Sequence, residues 1–256
     1  MADIVITEFM DEAAIRDHLA SFDVLYDPKL VDAPEALLAA IANARGLIVR
    51  NRTQVRGALL TAASRLAVVG RLGVGLDNID VEACRARGIA VHPAIGANDL
   101  SVAEYVITAA LVLLRGAWFA SDAVAAGKWP RQRLMGRELA GKRLGLVGFG
   151  AIARETATRA RALGMTVAAY DPYLPADHAA WTGTCNLGLG ELLALSDVIS
   201  LHVPLTPETH RLLNADMLAR MKPDAILVNA ARGGVVDEPA LVEALRCGRL
   251  GGAALD

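Results

Sequence analysis

Gly148 and Gly150, followed by the small Ala153, stand between a β-type apolar run, Leu144 to Val147, and a helical pattern that starts at Ala151. That order makes a turn free of Cβ clashes and then a helix start, whose N–H groups and dipole attract an anion such as a pyrophosphate. Gly150 lets such a group approach the backbone, and the third position needs only a small residue. A glycine pair alone fits a plain tight turn equally well. Asp171 adds weight, because it ends a second strand-like run, Thr166 to Tyr170, twenty-one positions after Gly150, where a carboxylate accepts bonds from ribose hydroxyls. A carboxylate there repels a 2′-phosphate, so the expected cofactor is NAD, not NADP. The plain alternative for Asp171 is a turn residue before Pro172.

The elements that must carry these groups alternate between strand and helix. In residues 1–97 the strand-like pieces are Ile4–Thr7, Val24–Tyr26, Leu47–Arg50, Leu66–Val69 and Ile89–His92. Helical patterns cover Glu12–Ala20, Pro34–Ala42, Arg56–Ala63 and Val81–Arg87. This rhythm predicts a parallel sheet covered on both faces, with ligands beyond the strands' carboxyl ends. Two such ends carry Arg50-Asn51-Arg52-Thr53 and Gly70-Arg71-Leu72-Gly73-Val74-Gly75. Ser101 and Glu104 fit a capping box for a long helix with an apolar surface, which predicts burial between domains or pairing with a second copy. Thr206 before Pro207 predicts another capped helix, which would carry His210 on the surface, and Asn214 and Asp237 predict caps of two more. The strand Ala225–Asn229 delivers Ala230-Ala231-Arg232-Gly233-Gly234 at its carboxyl end, and Leu250–Asp256 reads as a last strand.

Composition sets the outer bounds. With 256 residues, 54% of them hydrophobic, the chain is long enough for two modest domains. The net charge of −2 is spread evenly, so nothing argues for a nucleic-acid partner. Cys84, Cys185 and Cys247 lack metal-ligand spacing and read as reduced thiols of a cytoplasmic protein. The acidic N-terminal stretch carries no export signal, and the apolar run Tyr105–Leu114 is too short to span a bilayer.

Several stretches, in order and spacing, resemble the D-isomer-specific 2-hydroxyacid dehydrogenases of the phosphoglycerate dehydrogenase and hydroxypyruvate reductase type. They are Val49–Val55, Gly70–Asp80, Asn98 with Ser101–Glu104, Gly148–Ala153, Tyr170–Tyr173, Leu201–Thr209, Val228–Glu238 and Gly252–Asp256. The resemblance implies two doubly wound α/β domains, a flavodoxin-like substrate domain over residues 1–97 and a Rossmann NAD domain over 98–256, with the active site in the cleft between them. It implies that backbone at Val74 and Gly75 holds the substrate carboxylate, with Arg50, Asn51 and Arg52 also on the substrate side. Arg232 is then the catalytic arginine that grips the carboxylate and reacting oxygen. Backbone at Ala151 and Ile152 would meet the pyrophosphate, Val203, Pro204 and Thr209 would line the adenine side, Ala230 and Ala231 would pass the nicotinamide, and Asp256 would bond its carboxamide. A homodimer through the NAD domain is implied as well.

The implied reaction is hydride transfer between NAD and C2 of a small anionic 2-hydroxy or 2-oxo acid, such as phosphoglycerate, sulfolactate or glycerate/hydroxypyruvate. Arg50, Arg52 and Arg71 suit a second negative group, although arginines at strand ends also form solvated ion pairs. The family's acid/base histidine and its glutamate partner belong beyond the position of Asp256, so a longer natural chain is expected. His18, His92, His178, His202 and His210 do not match that histidine. The alternative reading is an NAD(H)-sensing, corepressor-like binding protein, or a catalytically incomplete fragment. A Rossmann enzyme using FAD or S-adenosylmethionine would share the glycine turn but leaves Arg232 unexplained.

Overall fold

The structure is a computed structural model that describes residues 2–256. Its chain forms two compact units, the first ending at Asn98 and the second starting at Asp99.

In the first unit, strands β1 (Ile4–Ile6), β2 (Val24–Tyr26), β3 (Gly46–Val49), β4 (Val68–Arg71) and β5 (Ala90–Pro93) alternate with helices α1 (Glu12–His18), α2 (Pro34–Ile41), α3 (Ala58–Ala62) and α4 (Val81–Ala86). The sheet order is β2-β1-β3-β4-β5, parallel throughout, the flavodoxin-like order with its reversal between β1 and β3. Val5, Leu47, Val49 and Val69 are fully buried with Ile41 and Ala63 from the covering helices. Strand β4 begins two residues later than the apolar pattern suggests. Its register on β3 pairs Val68 with Gly46, and Leu66 is buried in the preceding turn instead. Helix α3 is also shorter than expected, because Gly57 turns at φ +51 before it.

The second unit opens with α5 (Asp99–Arg115) and α6 (Ser121–Ala125). It continues with β6 (Arg143–Val147), α7 (Ala151–Ala162), β7 (Thr166–Tyr170), β8 (Cys185–Asn186), α8 (Leu189–Leu195), β9 (Val198–Leu201), α9 (Ala215–Arg220), β10 (Ile226–Asn229), α10 (Glu238–Arg246) and β11 (Gly252–Leu255). Its six strands are parallel in the order β11-β10-β9-β6-β7-β8. Counted from β6, this is the 3-2-1-4-5-6 order of the Rossmann fold, with the switch point between β6 and β9. One face is covered by α5 and α7 through Val106, Ala110, Leu114, Ala153, Ala157 and Ala160. The other is covered by α8, α9 and α10 through Leu192, Leu193, Leu218 and Leu241.

Several local expectations change. Helix α5 starts at Asp99, which puts Ser101 and Glu104 inside it and removes the capping box. Its buried stripe, Ala103, Val106, Ile107, Ala110 and Leu114, is part of this unit's own core, while Leu100 and Tyr105 of the same helix stay exposed. Residues 207–211 form turns, not a helix, and His210 is exposed on them as expected, beside Gly234. The two-residue edge strand β8 is too short to leave a pattern in the sequence. The Asn214 and Asp237 caps are present, accepting from the Met217 and Ala240 N–H groups. Among the described residues no single helix is long and apolar enough to cross a membrane.

At the amino ends of the central strands, Asp197 ties the sheet together. Its carboxylate accepts from the Arg143 N–H at 2.8 Å and from Lys222 Nζ at 2.7 Å. Burial pushes its pKa up, but the Arg143 N–H and the Lys222 ammonium outweigh that and hold it below the ordinary 3.8. A depressed folded-state pKa contributes stability that is present above the unfolded value and lost as pH falls through the folded one. Asp197→Asn is therefore expected to cost about 1–2 kcal/mol at pH 7. In thermal denaturation its deficit against wild type should shrink below about pH 4; a deficit constant from pH 7 to pH 3 would contradict the assignment.

Candidate active site

The glycine turn is built by three strand ends. The Gly148 N–H donates to the Tyr170 carbonyl at 2.8 Å, and the His202 N–H donates to the Val147 carbonyl at 2.8 Å. Gly148 sits at φ +87, and a Cβ there would lie 2.7 Å from the His202 carbonyl oxygen and 3.0 Å from Val203 Cγ1. Any other residue would have to push β9 away. Phe149 is buried beneath the turn and stacks on Trp181 with ring centroids 5.2 Å apart. Its N–H donates to Asp171 Oδ2 at 2.9 Å, while Asp171 Oδ1 accepts from the Tyr173 N–H at 3.0 Å. Asp171 is thus a turn residue after all, yet each carboxylate oxygen keeps a lone pair for a ribose hydroxyl.

Beyond this turn the surface suits a pyrophosphate. Gly150 is exposed, with nothing within 4 Å of where its Cβ would be. It precedes α7, a twelve-residue helix without a side-chain cap and without an acidic residue in its first turn. Ala151 is exposed and Ile152 partly so. The uncapped N–H groups and the helix dipole favour an anion there. These residues fit a dinucleotide.

The next strand ends complete one edge of the sheet. After β9, Val203 touches the glycine turn and Pro204 is exposed. The Thr209 hydroxyl donates to the Pro204 carbonyl at 2.6 Å and accepts from the Thr206 N–H at 2.8 Å. That hydroxyl is spent on fixing the loop, so Thr209, expected on the adenine side, has its side chain engaged within its own loop. After β10, buried Asn229 folds back: its Oδ1 accepts from the Ala231 N–H at 3.0 Å and its Nδ2 donates to the Arg232 carbonyl at 2.8 Å. Ala230 and Ala231 lie inside this loop. Arg232 emerges from it half-buried, with Nη1 donating to the Ala231 carbonyl at 2.6 Å. The Asp256 N–H donates to the Asn229 carbonyl at 3.0 Å, which places Asp256 at the same edge.

Among the described residues His202 is the histidine that is not exposed, being half-buried. Its Nε2 pairs with Ser200 Oγ at 2.9 Å, and burial drives its pKa down to about 4, so it is neutral at pH 7. A ring so held supports the turn and is a poor proton donor.

In the first unit the two expected substrate loops follow β3 and β4. Arg50 and Asn51 are exposed, with the Arg50 guanidinium 5.9 Å from the Phe9 ring centroid. Arg52 is ion-paired with Asp32 on the surface, the solvated pairing given above as the alternative for arginines at strand ends. Gly73 has φ +146, and a Cβ there would overlap the Arg71 guanidinium; Val74 is exposed and Gly75 partly exposed behind it. Two residues here carry no obvious chemical signature in the sequence. Glu8, just past β1, has its carboxylate on the N–H groups of residues 50–53. Asn78 bonds the carbonyls of Arg50 and Thr53. Asn229 was legible only as the polar end of an apolar strand.

Sheet order and glycine turn together define a Rossmann-type dinucleotide-binding protein. Residues 107–256 match the family described as D-isomer specific 2-hydroxyacid dehydrogenase, NAD binding domain. The whole chain is 54% identical to an (S)-sulfolactate dehydrogenase of Chromohalobacter salexigens and spans 83% of that relative. It is 40% identical over 253 residues to a D-3-phosphoglycerate dehydrogenase of Archaeoglobus fulgidus, of which it spans 48%. The crystal structure of D-lactate dehydrogenase from Aquifex aeolicus complexed with NAD and lactic acid aligns with 99% of the chain and 76% of its own, at a TM-score of 0.87 and 30% identity. The chain belongs to the D-isomer specific 2-hydroxyacid dehydrogenase family, and is an oxidoreductase that uses NAD.

Asp171→Ala removes the acceptor that holds the Phe149 N–H in the turn. NADH affinity is expected to fall about tenfold or more, the scale of a lost charge-assisted hydrogen bond. Fluorescence titration following Trp181, stacked on Phe149, checks this; an unchanged Kd would contradict it.

Proposed function

We propose that the chain passes hydride between NAD and C2 of a small 2-hydroxy or 2-oxo acid that carries a second anionic group at C3, a sulfonate or phosphate. The observation that carries the reaction is the position of Arg232, clamped by Asn229 at the same carboxyl edge as the glycine turn. Bound NAD supplies or accepts the hydride at its nicotinamide C4. Arg232 would bond the acid's carboxylate and C2 oxygen in one plane and stabilise charge developing on that oxygen, since a guanidinium stays charged at any working pH. Ala230 and Ala231 leave room for a flat ring to lie against the backbone.

The second anionic group is supported by exposed Arg50 and by the similarity to an enzyme named for sulfolactate. Asp171 supports NAD over NADP through its negative charge at the ribose end. Reduced, unpaired cysteines and NAD use are in keeping with a cytoplasmic setting, which fractionation of cells expressing the protein would test.

A homodimer through the NAD domain is part of the same reading, and exposed apolar residues just after α5 support it. Trp118, Phe119, Trp129 and Met135, which follow α5, are 67–83% exposed. Apolar side chains clustered in one segment mark an interaction site. Sedimentation of the full-length protein is expected to show a dimer that Trp118→Glu with Trp129→Glu converts to monomer; a monomeric wild type would dismiss the proposal.

Steady-state rates on 3-sulfolactate, 3-phosphoglycerate, glycerate and lactate test the substrate reading, with the two dianions expected to lead in kcat/KM. Arg232→Met should lower kcat/KM by roughly 10²–10³ or more, the usual cost of one preorganised donor at the developing charge. Lactate and sulfolactate turned over equally well would remove the second anionic group from the reading.

A further inference from the structure

The first unit's sheet reverses its order between β1 and β3, and in an open α/β sheet that crevice is the place where ligands bind. Here it contains a side chain of the protein itself. Glu8, 5% exposed, accepts four backbone N–H groups: Arg50 at 2.9 Å and Thr53 at 3.0 Å on Oε1, Arg52 at 3.1 Å and Asn51 at 3.3 Å on Oε2. Successive N–H groups converging on one point form an anion nest. Glu8 fills it, so no substrate oxygen can use those donors. Burial pushes the Glu8 pKa up, but the N–H groups of Thr53, Arg50 and Arg52 outweigh it and hold it below the ordinary carboxylate value. The charge is therefore present at neutral pH and is already matched by the loop's dipoles.

The opposite side of the same loop is held just as closely. Asn78, 5% exposed, donates from Nδ2 to the Thr53 carbonyl at 2.8 Å and the Arg50 carbonyl at 3.2 Å. Its own carbonyl accepts from the Val55 N–H at 2.8 Å, and the Thr7 and Thr53 hydroxyls lie 2.8 Å apart. Asn78 closes the segment that contains Gly73, Val74 and Gly75. The two loops that follow β3 and β4 are therefore one braced piece, with the side chains of Arg50 and Asn51 left on its outer surface.

We propose that Glu8 is a positioning residue for substrate selection: by gathering the N–H groups of residues 50–53 it fixes the direction of Arg50 and Asn51, so that the loop reads the anionic group at C3 through side chains alone. Asn78 completes the brace from the carbonyl side. The inference rests on the substrate reading above. Its logic is preorganisation, because a loop already ordered loses nothing on binding, whereas a loose one must be ordered by the substrate.

Glu8→Gln keeps the size of the side chain, but its NH₂ would face N–H groups that need an acceptor. Steady-state kinetics of the full-length protein on 3-sulfolactate and lactate, with NAD saturating, separate the outcomes. The ratio of kcat/KM on sulfolactate to that on lactate is expected to fall about tenfold in Glu8→Gln, mostly through KM for sulfolactate, and to recover in part in Glu8→Asp, which restores the charge. A merely structural role would lower both rates together and leave the ratio in place. A wild-type preference for sulfolactate that survives Glu8→Gln overturns the proposal alone. A wild type without any preference overturns the substrate reading and the proposal with it. Should Glu8→Gln not fold, Glu8→Asp decides: a ratio reduced by a smaller factor supports the proposal, and an unchanged ratio overturns it.

Discussion

The close approach of the β9 backbone to Gly148 is the constraint on which the second unit's site depends. A carbonyl 2.7 Å from the place of a Cβ leaves no choice of residue, and φ +87 makes the same demand independently. Because Gly148 can turn there, β6 and β9 end level at the switch point, Val147 opposite Leu201, and the N–H of His202 still finds the Val147 carbonyl. Phe149 can then point down onto Trp181 and Gly150 up toward the ligand. The uncapped start of α7 follows from this geometry: the residue before the helix is a glycine without a side chain to cap it, so the N–H groups stay available for an anion.

A second regularity joins the two units. Parallel strands deliver loops to one edge, and every loop brings N–H groups that need acceptors. In this chain a polar side chain at or just past a strand's last residue supplies them. Asp171 after β7 takes Phe149 and Tyr173, Asn229 at the end of β10 takes Ala231, and Glu8 after β1 takes residues 50–53. Each pins a loop that carries a proposed ligand contact. Rigid support of this kind is what a hydride-transfer site requires, because errors of about 1 Å in placing the reacting groups are costly.

The alternation of apolar runs and amphipathic stretches made the doubly wound sheets legible, and Gly148, Gly150 and Asp171 made the dinucleotide turn legible by spacing alone. The failures have physical causes. Ser101 and Glu104 matched a capping pattern, but Asp99 already starts α5, and pattern alone does not tell which of several polar residues ends the chain's extended path. The apolar surface of α5 is legible in the sequence, but a sequence does not show which partner covers each part of it; within this unit α7 and β10 cover the buried stripe. Arg52 and Arg50 look alike in the sequence, because nothing in it shows that Asp32, twenty residues before Arg52, pairs with that arginine in the fold. Glu8 and Asn78 were silent for the same reason, since their partners are backbone groups brought near only by the fold.

Asp171 shows how cofactor choice and loop structure become entangled. In the proposed NAD site its charge would discourage a 2′-phosphate, which is a matter of specificity. Its two oxygens also hold the Phe149 and Tyr173 N–H groups, which is a matter of shape. A change that removes the charge to admit a phosphate also removes acceptors from the turn that must cradle the pyrophosphate. Asparagine would keep one acceptor oxygen and lose the charge, so one of the two N–H groups would face an amide NH₂ in place of an oxygen. In the proposed site the turn itself would reinforce NAD: the residue proposed to turn away the other dinucleotide is one whose loss leaves the turn's N–H groups without their acceptors.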